Sequence, residues 1–393
     1  MTSSQQPPAD FRDPRFGFET RAIHAGQQPD AATGAVVTPV YMTSTYVHSE
    51  PGVYNGYDYS RAGNPTRDAY ETCLANLEGA RFGFAFASGC IGTTTVMHLL
   101  QQGDHVVCCD DMYGGTYRLF ETVFRKQGLD FSYVDLRDAD ALEAAMRPET
   151  RMVWIESPTN PLMKLVDIAR VAQIAHANGA RLMVDNTFMS PYFQKPLLLG
   201  ADLVLHSTTK YVNGHSDLIG GIVVTDDDAL QEQLDFLHRS IGGIQSTFDS
   251  YLCMRSVKTL AVRMRAHEDN ATAVAQFLEA HPAIDWVAYP GLTSHPQHEL
   301  ACRQTSGHGG MLSISVKGGL EAARRVMARV QVFTLAESLG GVESLIEHPG
   351  LMTHASLSRE QQRKVGITDG LLRLSVGIET QADLLADLEQ ALR

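Results

Sequence analysis

Cysteine is scarce in this chain: six residues in 393, at Cys73, Cys90, Cys108, Cys109, Cys253 and Cys302. That density excludes a disulfide framework. No CxxC and no HExxH occurs. His206 and His215 are too few for a metal site and lie nine apart, so no metal is expected. Adjacent Cys108 and Cys109 close an apolar run, which reads as burial in a strand. Six reduced thiols point to a cytoplasmic protein. No run of eighteen apolar residues exists, so no membrane-spanning helix is expected. The polar stretch Met1 to Asp13 lacks the apolar centre of a secretory signal. Positive charge is in deficit: 32 Lys and Arg against 45 Asp and Glu leave -13. That balance argues against a nucleic-acid partner. Nucleotide signatures are missing too. No GxGxxG follows a strand, the pairs Gly242-Gly243 and Gly309-Gly310 lack its spacing, and no Walker A motif occurs.

What is present suffices for a large core. Hydrophobic residues make 44% of the chain and charged ones 20%, which rules out wholesale disorder. Residues 1–60 show no helical period and carry Gly, Pro, Tyr and Thr in quantity. So long an irregular stretch is either a loose tail or an arm that wraps a partner subunit. From residue 61 the pattern changes. Thr66 is expected to cap a helix with apolar positions Tyr70, Cys73, Leu74 and Leu77, and Gly79 to stop it. Seven short apolar runs then alternate with helical segments, from Phe84-Ala85-Phe86 to Gly221-Ile222-Val223-Val224. They predict an α/β fold, with an open, mostly parallel seven-stranded sheet covered on both faces by helices. Long helical pattern over residues 250–280 bridges to a smaller α+β unit. The expected division is an arm at 1–60, a large domain at 61–260 and a C-terminal domain at 261–393.

In a doubly wound sheet, ligands sit beyond the C-terminal strand ends. The polar residues following the predicted runs are therefore informative. They include Ser88-Gly89-Cys90, Glu156-Ser157-Pro158-Thr159-Asn160, Asp185-Asn186-Thr187 and Ser207-Thr208-Thr209-Lys210. Lys210 offers an amine for a pyridoxal aldehyde. Ser207 and Thr209, two apart, turn hydroxyls to one side. Ser88 adds a hydroxyl, and Gly89 and Cys90 add free N–H groups at a helix start, a set suited to phosphate. Asp185 could keep a pyridine nitrogen protonated, so that the ring acts as an electron sink. Tyr113 could cover the ring. Each signal alone is a common structural feature; their joint placement after separate strands is what points to a phosphate-bearing cofactor.

The sequence resembles the gamma subfamily of fold-type I pyridoxal-phosphate enzymes of cysteine and methionine metabolism, from about residue 17 to residue 393. The matching stretches include Tyr59 to Thr66, Ala87 to Gly89, Asp111 to Thr116, Glu156 to Pro161, Val184 to Thr187, Ser207 to Tyr211, Tyr289 to Leu292, Ser338 to Leu345 and Arg373 to Gly377. The resemblance implies a fold-type I transferase fold with pyridoxal 5'-phosphate on Lys210. It further implies Asp185 at the ring nitrogen, Tyr113 on the ring face, and the phosphate on the Gly89 and Cys90 amides, Ser207 and Thr209. Tyr59 and Arg61 would reach the cofactor of a neighbouring subunit, within a homotetramer of two catalytic dimers. Arg373 would grip the carboxylate of an amino-acid substrate, with Asn160 and Ser338 assisting. Cys90 departs from the larger apolar residue often found there. A redox role for it would need a lowered thiol pKa and an open path.

Within the family, Gly115 stands where methionine-degrading members carry cysteine, which disfavours that activity. Glu343 stands where cystathionine gamma-lyases and gamma-synthases carry glutamate, and could meet the distal ammonium of cystathionine. Glu50 is either a second acidic contact across the subunit boundary or a surface residue. The run Phe333 to Leu345 looks more like the lyases. The expectation is gamma-elimination of L-cystathionine to cysteine, 2-oxobutyrate and ammonia, with Lys210 and Tyr113 catalytic and hydrogen sulfide release as a side activity. A gamma-synthase using an O-acylated homoserine and cysteine is the alternative. A catalytically inactive regulator is a further one, which intact Lys210, Asp185, Tyr113 and Arg373 disfavour.

Overall fold

The computed structural model describes residues 10–13, 15–355 and 358–393. Residues 1–9 and 14 of the expected arm lie outside the described residues. The described arm carries a short helix, Phe18–His24, and a two-stranded hairpin, β1 (His48–Glu50) and β2 (Val53–Tyr54). Neither was legible as a periodic pattern.

The central sheet has seven strands. They are β3 (Phe82–Phe86), β4 (His105–Cys109), β5 (Asp130–Val134), β6 (Thr150–Glu156), β7 (Arg181–Asp185), β8 (Leu203–Ser207) and β9 (Gly221–Thr225). Their order is β3-β9-β8-β7-β6-β4-β5, and only β9 runs against its neighbours. Burial on both faces explains the sequence pattern. All five residues of β4 and all five of β9 are buried, so both read as continuous apolar runs. The core under this sheet runs from Ala22 to Val257.

The cap of the helix Pro65–Glu78 differs from expectation. Asn64, not Thr66, is its N-cap, accepting the Thr66 N–H at 3.0 Å, with Pro65 at the first position. Thr66 instead ties down the arm. Its hydroxyl donates to Pro39 O at 2.7 Å and accepts the Tyr41 N–H at 3.0 Å. Gly79 ends the helix at φ 86°, a left-handed position that favours glycine.

Helices Thr247–Val257 and Leu260–Ala280 lead to the second sheet. It comprises β10 (Ile284–Ala288), β11 (Met311–Val316), β12 (Thr334–Leu335), β13 (Leu345–Glu347) and β14 (Leu371–Ser375), in the order β10-β11-β14-β13-β12. Helices Gly319–Arg329 and Gln381–Leu392 pack on it, and a second core spans Ala271 to Ala391. A third cluster, which includes Phe188, Tyr211, Met311 and Leu339, joins the two parts. Among the described residues, no helix is long and apolar enough to cross a membrane.

Candidate active site

The C-terminal ends of β6, β7 and β8 open onto a cavity of about 290 Å³. Of the residues singled out from sequence, it gathers Ser88, Gly89, Cys90, Tyr113, Asn160, Asp185, Ser207, Thr209, Lys210, Ser338 and Arg373. Strand ends and loops from both sheets therefore meet at one place.

Lys210 follows β8 and donates its amine to the Ser338 hydroxyl. Burial, with Arg373 nearby, pulls its pKa down to about 8. A neutral amine is thus accessible near neutral pH. Ser338 holds a left-handed backbone at φ 89°, unusual for a residue with a Cβ. Two residues on, Gly340 lies at φ 75°, where a Cβ would come within 2.8 Å of the Tyr211 nitrogen. The Ser338 loop can press onto the Lys210 backbone because that glycine is bare.

At the other wall, Ser88 caps the helix Gly89–Met97 by accepting the Ile91 N–H at 3.2 Å. The first-turn N–H groups of Gly89 and Cys90 have no helical acceptor. A Cβ on Gly89 would sit 3.2 Å from Ser207 Cβ, and one on Gly221 would fall 2.6 Å from Ser88 O. Only glycine lets this helix start approach β8 and β9 so closely. The Thr209 hydroxyl lines the same wall and bonds Gly220 O at 3.2 Å.

Asp185 ends β7, and its Oδ1 takes the Thr187 hydroxyl and the Thr187 N–H at 3.0 Å. Burial pushes its carboxyl up, and the Thr187 bonds oppose that shift. Glu156 ends β6 directly beside it in register. Burial, then the Asp185 charge, pushes the Glu156 carboxyl well above the carboxylate range. Its Oε1 accepts the Tyr113 N–H at 2.8 Å, which fixes the start of the Tyr113 turn. A Cβ on Gly115 would fall 2.3 Å from the Tyr113 ring, so Gly115 leaves that ring room to fold over its own helix. Burial also raises the Tyr113 phenol, keeping it protonated.

Arg373 is held on β14. Its Nη1 meets Glu347 at 3.0 Å and Asn160 Oδ1 at 2.9 Å, and its Nη2 donates to Ser338 O at 2.8 Å. Its Nε has no acceptor among the described residues. A buried guanidinium with an unused N–H, lining a cavity, is chemically matched to an entering carboxylate.

Four expected residues lie elsewhere. Glu50, Tyr59 and Arg61 are exposed on the arm and do not line this cavity. The Arg61 guanidinium lies 5.5 Å from the Tyr59 ring centre and donates to Arg239 O. Glu343 does not line the cavity either; it accepts a hydrogen bond from Ser216. Of the two glutamates in that loop, the one that lines the cavity is Glu337. Residues 337–343 fold back through two left-handed positions, and that reversal decides which glutamate faces inward. Glu156 and Glu337 were both inside recognised stretches without an assigned role. The signal for Glu156 was a lone carboxylate closing an apolar strand beside Asp185. For Cys90, burial raises the thiol rather than lowering it, so the condition for redox sensing fails.

The residues present fit pyridoxal 5'-phosphate. They offer a buried amine of lowered pKa, a carboxylate at a strand end, and a glycine-lined helix start beside two hydroxyls. A sequence profile described as "Cys/Met metabolism PLP-dependent enzyme" matches residues 19–393. A cystathionine beta-lyase of Coxiella burnetii is 55% identical over 95% of this chain and 97% of its own. A cystathionine gamma-synthase of Mycobacterium bovis is 52% identical over 96% of this chain and 97% of its own. The crystal structure of cystathionine gamma-lyase from Lactobacillus plantarum, complexed with L-serine, superposes with a TM-score of 0.94 at 47% identity, covering 96% of this chain and 98% of that one.

Proposed function

The chain belongs to the Cys/Met-metabolism family of pyridoxal-phosphate-dependent enzymes, and on that premise we propose that it cleaves L-cystathionine by gamma-elimination to L-cysteine, 2-oxobutyrate and ammonia. The fold is fold-type I and the cofactor is pyridoxal 5'-phosphate. The observation that carries the substrate reading is Glu337 lining the same cavity as Arg373 and Lys210. Cystathionine bears an amino-acid group at each end. Arg373 suits the α-carboxylate, and Glu337 suits the distal ammonium that Glu343 was expected to meet.

Bound pyridoxal 5'-phosphate supplies an electron sink for charge at the amino-acid Cα. Lys210 carries it, with the Gly89 and Cys90 amides, Ser207 and Thr209 at its phosphate and Asp185 at its ring nitrogen. The free Lys210 amine would take the Cα proton, hand it on to the cofactor and, neutral again, take a Cβ proton. Tyr113, protonated and beside the opening, gives the departing cysteine sulfur its proton. Asn160 and Ser338 hold Arg373 in line for the carboxylate. The same machinery acting on cysteine would release hydrogen sulfide as a side activity. The working unit in this proposal is a homotetramer of two catalytic dimers, in which Tyr59, Arg61 and Glu50 serve the adjoining subunit's cavity.

The test is product analysis by mass spectrometry after incubating loaded enzyme with L-cystathionine alone. Cysteine and 2-oxobutyrate are the expected products. Homocysteine and pyruvate would make it a beta-lyase. Absence of cleavage, with cystathionine formed from cysteine and an O-acylated homoserine, would make it a gamma-synthase.

A further inference from the structure

Away from the cavity, three metal-binding side chains meet beside the second sheet. His298 and Cys302 lie one turn apart on the helix His298–Gln304, and His308 follows in the loop before β11. One ligand atom from each lies within 4.8 Å of the other two. Sequence spacing hides the group. H-x3-C-x5-H carries a single cysteine and no cysteine pair, and its third member lies past the helix end.

The ring orientations favour a cation. His298 Nδ1 bonds Pro290 O at 2.8 Å, so Nδ1 carries the proton and Nε2 presents a lone pair. That lone pair faces Cys302 Sγ at 3.4 Å. In tetrahedral zinc, sulfur and nitrogen ligands stand about 3.5 Å apart. The His298 and His308 ring centres are 5.7 Å apart. His308 is anchored through its backbone N–H, which donates to Glu268 at 2.6 Å. Its ring Nδ1 is buried without a partner among the described residues.

We propose that His298, Cys302 and His308 form a zinc site with three protein ligands and a fourth position open to water. Two imidazoles and one thiolate match zinc's preference for nitrogen and sulfur. On binding, the Cys302 S–H releases its proton to solvent, and the metal takes the place of that proton between sulfur and His298 Nε2. No electron is transferred. None of the three residues lines the cavity, so the site is separable from catalysis.

The experiment uses holoenzyme stripped of metal by a chelator and then desalted. It is dialysed against zinc chloride, and bound zinc is counted by metal analysis. In parallel, alkylation of Cys302 by iodoacetamide is followed by peptide mass spectrometry. Wild type is expected to bind one more zinc per chain than Cys302→Ser. His308→Asn is expected to weaken that zinc by at least roughly tenfold. Zinc is expected to slow alkylation at Cys302. Equal zinc uptake by wild type and Cys302→Ser, or alkylation of Cys302 indifferent to zinc, would overturn the site. Cys302 is exposed, so its serine variant keeps the fold testable.

Discussion

Lys210 must be both buried and deprotonated, and the same burial achieves both. Water excluded from the cavity destabilises the ammonium and draws the pKa to about 8. The sign of the linked effect is fixed. The unfolded lysine titrates near about 10.4. Between the two values the unfolded chain binds more protons than the folded one. Lys210 therefore destabilises the apoprotein fully below pH of about 8, and that cost disappears as pH rises through the unfolded value. Capture of the cofactor by apoprotein reports the same group. Its rate, measured by the growth of visible absorbance and divided by that of a small reference amine already neutral over the whole range, should rise about tenfold per pH unit and level off near about 8. A ratio still climbing beyond about pH 9.5 would mean an ordinary lysine.

At the scale of elements, the site is a meeting of strand ends, and Arg373 and Glu347 show how two strands build it. They pair across β14 and β13 at 3.0 Å, with side chains 2% and 1% exposed. Burial pushes the Glu347 carboxyl up and Arg373 opposes that shift, so each charge depends on the other. Glu347→Gln keeps the shape and removes the counter-charge. It should cost about 3–5 kcal/mol, since an uncompensated guanidinium stays buried. Thermal midpoints at equal cofactor and protein concentration measure this. A midpoint unchanged from wild type would mean that Asn160 Oδ1 and Ser338 O alone stabilise the charge. Elements of this kind were unequally legible. Strands β4 and β6 to β9 stood out because burial on both faces leaves unbroken apolar runs. Helix Phe18–His24, at seven residues, is too short for a period to emerge. Asn64 lost the cap reading to Thr66 because either residue type can cap. The choice was made by contacts to Pro39 and Tyr41, distant in sequence. The cavity residues named from strand ends were legible because topology alone brings those ends together. Glu337 and Glu343 were not separable, because a loop's direction depends on its positive-φ turns rather than on residue type. His298, Cys302 and His308 converge only through the packing of a helix on a loop.

For the whole molecule, the arm is the unfinished part. Val36, Met42 and Val47 are 79%, 72% and 89% exposed in the single chain. Apolar side chains held out on an ordered segment gain about 25 cal/mol per Å² once covered. The arm is ordered at its base by Thr66, and it carries Tyr59 and Arg61 as a stacked pair outside the cavity of its own chain. A two-fold assembly would bring that pair to the neighbouring cavity and cover the apolar residues in one step. Complementation tests this directly. Lys210→Ala and the double variant Tyr59→Ala, Arg61→Ala should each be nearly inactive alone. Co-expressed in equal amounts, random pairing makes half the dimers mixed. Each mixed dimer contains one site with an intact Lys210 and an intact arm from the other chain. The mixture should therefore recover about a quarter of wild-type specific activity. Mixed dimers verified by native mass spectrometry but no more active than the parents would mean that each arm serves its own chain's cavity, and the two-fold arrangement proposed for the site would fall.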